Sequence, residues 1–292
     1  MANKCMTIEE IVDQLEDGMT IGIGGWATRR KPMALVRAIA RSKVKDLTVV
    51  AYGGPDIGLL ATTNKIKKLI FAFVSMDQIP LEPHFRAARQ KGAFEILELD
   101  EGHYQLGLRA AAMRLPFLPT RIGLGTDLVK QPELSKTVVS PFEDGETLLA
   151  MPAIPLDVAL IHVHRSDERG NVLTLSPDPL FDELLARAAT KTFVTTEKLV
   201  TTAELDMRNN ARFNIFERAL VTGVAVAEFG AHPTSADPDY HIDMAHLKTY
   251  SEAAAPGAYG EYRDRFVDVS HEVYVAAVGG ADAIRALRKP AY

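Results

Sequence analysis

A single rhythm constrains this chain more than any other feature: short apolar runs, each closing on a glycine or an acid-glycine turn, alternate with segments whose apolar residues recur at helical spacing. Residues 7–15 read as a short helix, which Thr7 can cap; Glu9 and Glu10 suit its first turn, and Ile8, Ile11, Val12 and Leu15 form one stripe. After Asp17-Gly18, residues 19–23 are a β-type run ending in Gly24-Gly25, and Pro32 starts a helical pattern of Met33, Leu35, Val36, Ile39 and Ala40. Further strands are expected at 47–52 before Gly53-Gly54-Pro55, at 69–74 before a polar turn, and at 94–99 before Asp100-Glu101-Gly102. Such alternation predicts an α/β fold, a largely parallel sheet with helices on both faces.

The second half continues the pattern. Residues 158–163 form an almost wholly apolar strand, 182–189 a helix, 192–195 a short strand and 220–226 another β-rich segment. From Gly230 the composition turns to His, Pro, Asp and Tyr, followed by helices near 244–253 and 281–287. Without a repeat or a Pro/Gly/Ser-rich linker, residues 1–292 are expected to be one domain, with 229–292 an irregular C-terminal extension. At 292 residues and 47% apolar, the chain can bury a sizeable core.

A net charge of −5 with interleaved acids and bases offers no basic stripe, so nucleic acid is not an expected partner. No apolar run approaches the roughly 18 to 20 residues that span a bilayer, and the N-terminus lacks a signal-peptide pattern, so no membrane association and a cytoplasmic location are expected. Cys5, the single cysteine, can form no internal disulfide and reads as an inert thiol.

In an open parallel sheet, ligands bind beyond the carboxyl ends of the strands, which directs attention to three loops. In the first, Gly22, Gly24 and Ala27 formally satisfy a dinucleotide fingerprint, but the next strand ends in Tyr52-Gly53-Gly54, where a ribose-binding acid is wanted. The loop is then either a structural turn or a set of backbone donors, Gly24, Gly25 and Trp26, facing a substrate carbonyl or carboxylate, with Arg29 and Arg30 adding charge. The second loop, Gly53-Gly54-Pro55-Asp56, is a plain turn or a substrate-facing wall, with Asp56 structural. The third carries Glu101, with His103, Arg109 and Arg121 following; its carboxylate can serve as general base or nucleophile, or is an exposed acid in an acidic turn. His162 and His164 share a strand face but suggest no third ligand, and the His/Asp-rich tail around His232, Asp237, Asp239, His241, Asp243 and His246 has no regular spacing, so no metal is expected. Neither a G-x-S-x-G elbow nor a phosphate-binding G-x-x-x-x-G-K-[ST] loop is present.

Asp17-Gly18, an apolar strand, Gly24-Gly25, an aromatic residue and a proline six positions beyond it resemble the N-terminal signature of class I CoA-transferase α subunits. Trp26 stands where that family usually has Phe, and Arg30, a bulky cation beside the loop, where it usually has Gly. Arg109 to Ala112, Leu115 to Arg121, Gly123, Gly125, Thr126, Asp127, Ser140-Pro141-Phe142, Asp157 to His164, Asp167, Gly170, Asn171 and Gly230 to Ser235 are similar to the glutaconate CoA-transferase-like branch. Gly25-Trp26 and residues 29–33, 46–50, 52–56 and 100–102 resemble more closely the steroid-degrading α subunits of the IpdA type.

The resemblance implies a class I CoA-transferase (NagB/RpiA/CoA-transferase-like) fold and an acyl-CoA substrate, with no cofactor beyond that CoA. Because Ser-Glu-Asn-Gly, the family's acyl-accepting glutamate motif, is absent, it also implies half of an active site completed by a β subunit, in an α2β2 heterotetramer. Two activities are compatible with it: hydrolytic opening of the last ring of a cholesterol-derived CoA thioester, or CoA transfer through a β-subunit glutamyl-CoA. In the first, Glu101 is the base, and Arg121 with the Gly24-Gly25-Trp26 backbone stabilises developing charge. Arg29, Gly53 and Gly54 would line the substrate.

Overall fold

The structure is a computed structural model that describes residues 3–288. In chain order, its first half contains α1 (Ile8–Val12), β1 (Thr20–Ile23), α2 (Met33–Arg41), β2 (Leu47–Gly53), α3 (Pro55–Thr62), β3 (Ile66–Val74), α4 (Pro83–Gln90), β4 (Glu95–Glu98), α5 (Glu101–Ala112) and β5 (Phe117–Thr120). The second half holds β6 (Thr137–Val139), β7 (Thr147–Pro152), β8 (Leu156–Ser166), β9 (Val172–Leu173), α6 (Asp182–Ala188), β10 (Ala189–Leu199), α7 (Met207–Asn210) and β11 (Val221–Val226). Four helices end the chain: α8 (Met244–Glu252), α9 (Tyr259–Phe266), α10 (His271–Ala277) and α11 (Gly280–Arg285).

Seven strands pair in parallel in the order β11-β10-β8-β1-β2-β3-β4, and β9 adds to β8 antiparallel. Side chains alternate along each strand, so both faces of this sheet are apolar. Ile21, Ile23, Val49, Ala51, Val158 and Leu160 point into one core layer, beneath α2 and α3 and the tyrosine-rich helices α8 to α10. Val50, Tyr52, Ala159, Ile161, Val163 and Val194 point into the other, beneath α5 and α6. Ile23 lies opposite Ala51 on one side and Leu160 on the other, so β1 and β2 end close together, their following loops meet in one crevice, and β8 runs on past them to Ser166.

Three elements differ from the sequence expectation. The C-terminal extension is not irregular over residues 229–288: besides the two expected helices it contains α9 and α10, and together these helices bury Leu247, Tyr250, Tyr262, Phe266 and Tyr274 against the first core layer, while residues 289–292 of the expected extension lie outside the described residues. Strand β10 runs eleven residues, not four, because Thr192, Thr195, Thr196 and Glu197 are buried polar residues whose bonds inside the protein permit them in a central strand. A separate antiparallel sheet, β5-β7-β6, was hidden by Pro119 and by the shortness of its strands.

The first two loops are locked together at close range. A Cβ on Gly54 would overlap the Ala27 carbonyl, and Lys31 Nζ lies 3.0 Å from Asp56 Oδ2 with both side chains fully buried. Asp56 Oδ1 also accepts the Gly54 amide at 2.6 Å. Removing one member of a buried pair strands the other charge, so Lys31→Met should cost about 3–5 kcal/mol in urea unfolding, and Lys31→Met/Asp56→Leu should recover part of it. An additive double mutant would show that the pair is not coupled.

Glu82 caps α4 from a fully buried position and contacts Tyr250 of α8. Burial pushes its carboxyl up to about 8, against the lowering effect of the Phe85 amide and the Tyr250 hydroxyl. The folded state therefore holds this proton more tightly than the unfolded chain does. That stabilisation is complete below the ordinary carboxylate range and is lost as pH rises through about 8. Glu82→Gln should gain melting temperature relative to the parent between pH 5 and 9; parallel melting curves for the two proteins would refute the assignment.

Candidate active site

The first loop is a tight, internally satisfied turn. Gly25 adopts φ +77°, and a Cβ there would run into the Arg29 and Arg30 carbonyls, so glycine is required by the turn itself. Gly24 N donates to Leu160 O at 2.8 Å, Gly25 N to Asp182 Oδ1 at 2.9 Å and Trp26 N to Arg29 O at 2.9 Å. The expectation that these three amides face a substrate is thereby corrected: each is donated within the protein. Gly53 and Gly54 are likewise used, Gly53 O accepting the Ser75 amide and Gly54 packing under Ala27.

Arg30 is also not a charge beside a ligand. Its guanidinium is buried, 2.6 Å from Asp182 Oδ2, and donates to the His162 and Pro179 carbonyls. One carboxylate thus holds both the Gly25 amide and Arg30, pinning the first loop to the start of α6. Arg29 is exposed, 3.7 Å from Asp77, and lines a cavity of about 340 Å³ with Asp77, Ser235 and His241 that includes neither Trp26 nor Glu101.

Glu101 is not in a loop. It is the first residue of α5, whose N-cap is Asp100, and its exposed carboxylate sits at the end of a helix that favours negative charge. Gln105 Nε2 donates to it at 3.1 Å, and the Tyr52 hydroxyl donates to the Glu101 carbonyl at 3.3 Å. Burial pushes the Tyr52 phenol well above its usual range, and the Glu101 charge pushes it further. Beside them, Asp100 Oδ2 lies 2.6 Å from Nδ1 of the fully buried His103.

The residues after β5 fold back over this helix start. Ile122 packs where a Cβ on Gly102 would stand, and Gly123 lies against the His103 ring. Arg121 enters the neighbourhood through this loop but is exposed and paired with Glu146, its Nε 2.6 Å from Oε1. Arg109 is exposed on α5.

Four aromatic rings that sequence reasoning did not group meet at the same crevice. Tyr52 is buried at their centre, with ring centroids 4.5 Å from Trp26, 5.3 Å from Phe73, 4.9 Å from Phe181 and 4.2 Å from Tyr104 beneath. Phe73 looked like one more core residue of an apolar strand, and Phe181 lay just outside a helix. The available signal was positional: Trp26, Tyr52 and Phe73 lie at or near the carboxyl ends of three neighbouring strands.

A second cavity, about 590 Å³, opens beyond β8, β10 and β11 and contains Glu197 and Tyr240. Burial alone would raise the Glu197 carboxyl, but hydrogen bonds with His162, Tyr240 and the Phe229 amide hold it below its usual range. His164, pushed down to about 4 by burial and by Arg30, accepts the Leu175 amide at Nδ1 and lies 2.7 Å from the Asp237 carbonyl at Nε2. Both histidines of that strand face are thus engaged in the fold.

The family model described as coenzyme A transferase matches residues 5–213. The chain is 46% identical over 284 residues to the cholesterol ring-cleaving hydrolase IpdA subunit of Rhodococcus jostii, covering 94% of this chain and 96% of that one. It is 43% identical over 293 residues to the IpdA subunit of Mycobacterium tuberculosis, covering 98% and 100%. Among solved structures, glutaconate coenzyme A-transferase from Acidaminococcus fermentans superposes with a TM-score of 0.90 at 26% identity, over 97% of this chain and 95% of that one. A variant of the decarboxylase AibA/AibB does so at 0.81 and 27%, over 90% and 98%. With a family model matched over most of its length and relatives this similar from end to end, the chain belongs to the coenzyme A transferase family.

Proposed function

We propose that this chain is the α subunit of a heteromeric, cytoplasmic hydrolase that opens a carbocyclic ring of a steroid-derived CoA thioester, with Glu101 as general base. The observation that carries this reading is the 46% identity, over nearly the full length of both chains, to a protein named as a subunit of a cholesterol ring-cleaving hydrolase. The local chemistry supports it. In a ring ketone whose α-carbon also bears the thioester, water adds to the ketone carbon, the bond to the α-carbon breaks, and the electron pair departs as a thioester enolate. A carboxylate that takes the proton from water can return it to that carbon, leaving a carboxylic acid at the former ketone. Glu101 has the open lone pairs and the position at a strand's carboxyl end that such a base needs. Nothing beyond the CoA of the substrate is required as a cofactor.

A partner of the same family is part of this reading, as an α2β2 assembly. Its support is the number of exposed apolar side chains on and near the small antiparallel sheet: Val139 is 62% and Phe142 78% exposed, and Met113, Phe117, Ile122 and Leu124 are exposed as well. The relatives are themselves named as subunits.

True CoA transfer, the activity named for the glutaconate relative, is the second reading. In the assembled complex, Glu101→Gln should retain thioester binding and lose ring opening by about 100- to 10,000-fold. Borohydride added during turnover should leave no modified glutamate in either subunit. A reduced β-subunit glutamate, together with CoA exchange that survives Glu101→Gln, would establish the transferase instead.

A further inference from the structure

The half-buried aromatic rings beside Glu101 call for an explanation that folding alone does not supply. Trp26, Phe73 and Phe181 pack against the second core layer with one part of each ring and keep the rest of their surface in water, where core packing gives no use for it. Their centroids lie 4.8 and 5.6 Å from Trp26, and all three surround Tyr52, which is 2% exposed and stacks on Trp26 at an interplanar angle of 21°. The group is held stiffly. Trp26 and Arg29 exchange backbone hydrogen bonds at 2.9 and 2.7 Å, and Asp182, next to Phe181, grips the Gly25 amide next to Trp26. Four rings from four elements thereby form one surface whose buried member reaches the Glu101 backbone through its hydroxyl.

We propose that Trp26, Phe73 and Phe181, backed by Tyr52, are the platform on which the acyl part of the CoA thioester lies, and that they select alicyclic over linear acyl groups. The inference rests on the CoA-thioester reading and adds the residues that set acyl specificity. Its chemistry is that of rigid apolar faces. Of the neighbouring cations, Arg30 is spent on Asp182 and Arg121 on Glu146, while Arg29 lines a separate cavity with Asp77 that includes none of the three rings, so the rings offer contact area and no grip for a terminal carboxylate. A ring presents its carbons to such a face already ordered, whereas a linear chain of equal carbon count loses rotamer freedom on lying flat. Stacking the acyl ring here brings its edge toward the start of α5, where Glu101 stands.

Trp26 is the only tryptophan of the chain, so its emission reports the platform directly. Cyclohexanecarboxyl-CoA and heptanoyl-CoA carry the same number of acyl carbons, and neither has a ring ketone to cleave. Each is titrated into the assembled complex, with free CoA as reference. Emission is taken as the difference between parent and Trp26→Phe complexes, and affinities come from calorimetry. The parent should bind the cyclic thioester more tightly, with a change in Trp26 emission. Phe73→Leu and Phe181→Leu, which keep apolar volume, should each reduce the cyclic preference about 3- to 10-fold and leave free CoA affinity unchanged.

Equal affinity for the two thioesters in the parent, equal weakening of both in the variants, or unresponsive Trp26 emission with the cyclic thioester bound overturns the platform alone. Failure of free CoA and both thioesters to bind overturns it together with the CoA-thioester reading. Neither thioester has a ring ketone, so neither is cleaved by ring opening; if the complex instead moves CoA, exchange at a β-subunit glutamate releases one equivalent of free acid, which is measured alongside the titration and separates that reaction from simple binding.

Discussion

The Asp182 carboxylate is the interaction on which the crevice depends. One oxygen accepts the Gly25 amide and the other faces the Arg30 guanidinium, both deep in the protein. Burying a carboxylate is costly unless its lone pairs are filled, and here the two partners come from the same tight turn. The turn therefore cannot relax without stranding the charge, and α6 cannot move away from β1 without doing the same. Phe181 precedes Asp182 and Trp26 follows Gly25, so one contact fixes two walls of the aromatic group. Arg30 is the cationic half of this clamp.

The parallel sheet was legible because it is apolar on both faces: almost wholly apolar runs such as residues 158–163 admit few other readings. Strand β10 was less legible for the opposite reason. Its buried threonines and Glu197 look like surface in a sequence, and only tertiary partners such as His162 and Tyr240 make them interior. Of the terminal helices, α8 and α11 were legible, whereas α9 was not, because its sequence YGEYRDRF carries charges around a helix whose buried stripe is only Tyr262 and Phe266.

The site divides along the same line. Glu101 could be singled out from its place after a strand, and the glycines of the first two loops from their clustering. What a glycine does there was not legible. At Gly25 and Gly54 the missing side chain admits another segment's backbone, a requirement indistinguishable in sequence from close approach to a ligand. The same ambiguity affects Arg30, since a cation beside a glycine loop can serve a substrate or a buried acid, and only the position of Asp182, far along the chain, decides between them.

Lone-pair accounting then separates the carboxylates near the sheet's carboxyl ends. An ionised carboxylate can accept at about four sites, and a base must keep one open toward water. Asp182, with Gly25 and Arg30 on its two oxygens, and Asp56, with the Gly54 amide and Lys31 on its two, are fully buried and have no site open to water. Asp100 caps the His103 amide and holds the His103 ring, while Glu197 is engaged by His162, Tyr240 and the Phe229 amide. Glu82, with its carboxyl pushed up to about 8 by burial, holds its proton at neutral pH. Among these, Glu101 alone is exposed with a single side-chain donor, Gln105, on its carboxylate. Of the carboxylates compared, five are committed to contacts within the fold, and the acid at the start of α5 keeps most of its accepting sites open to water, as the proposed base requires.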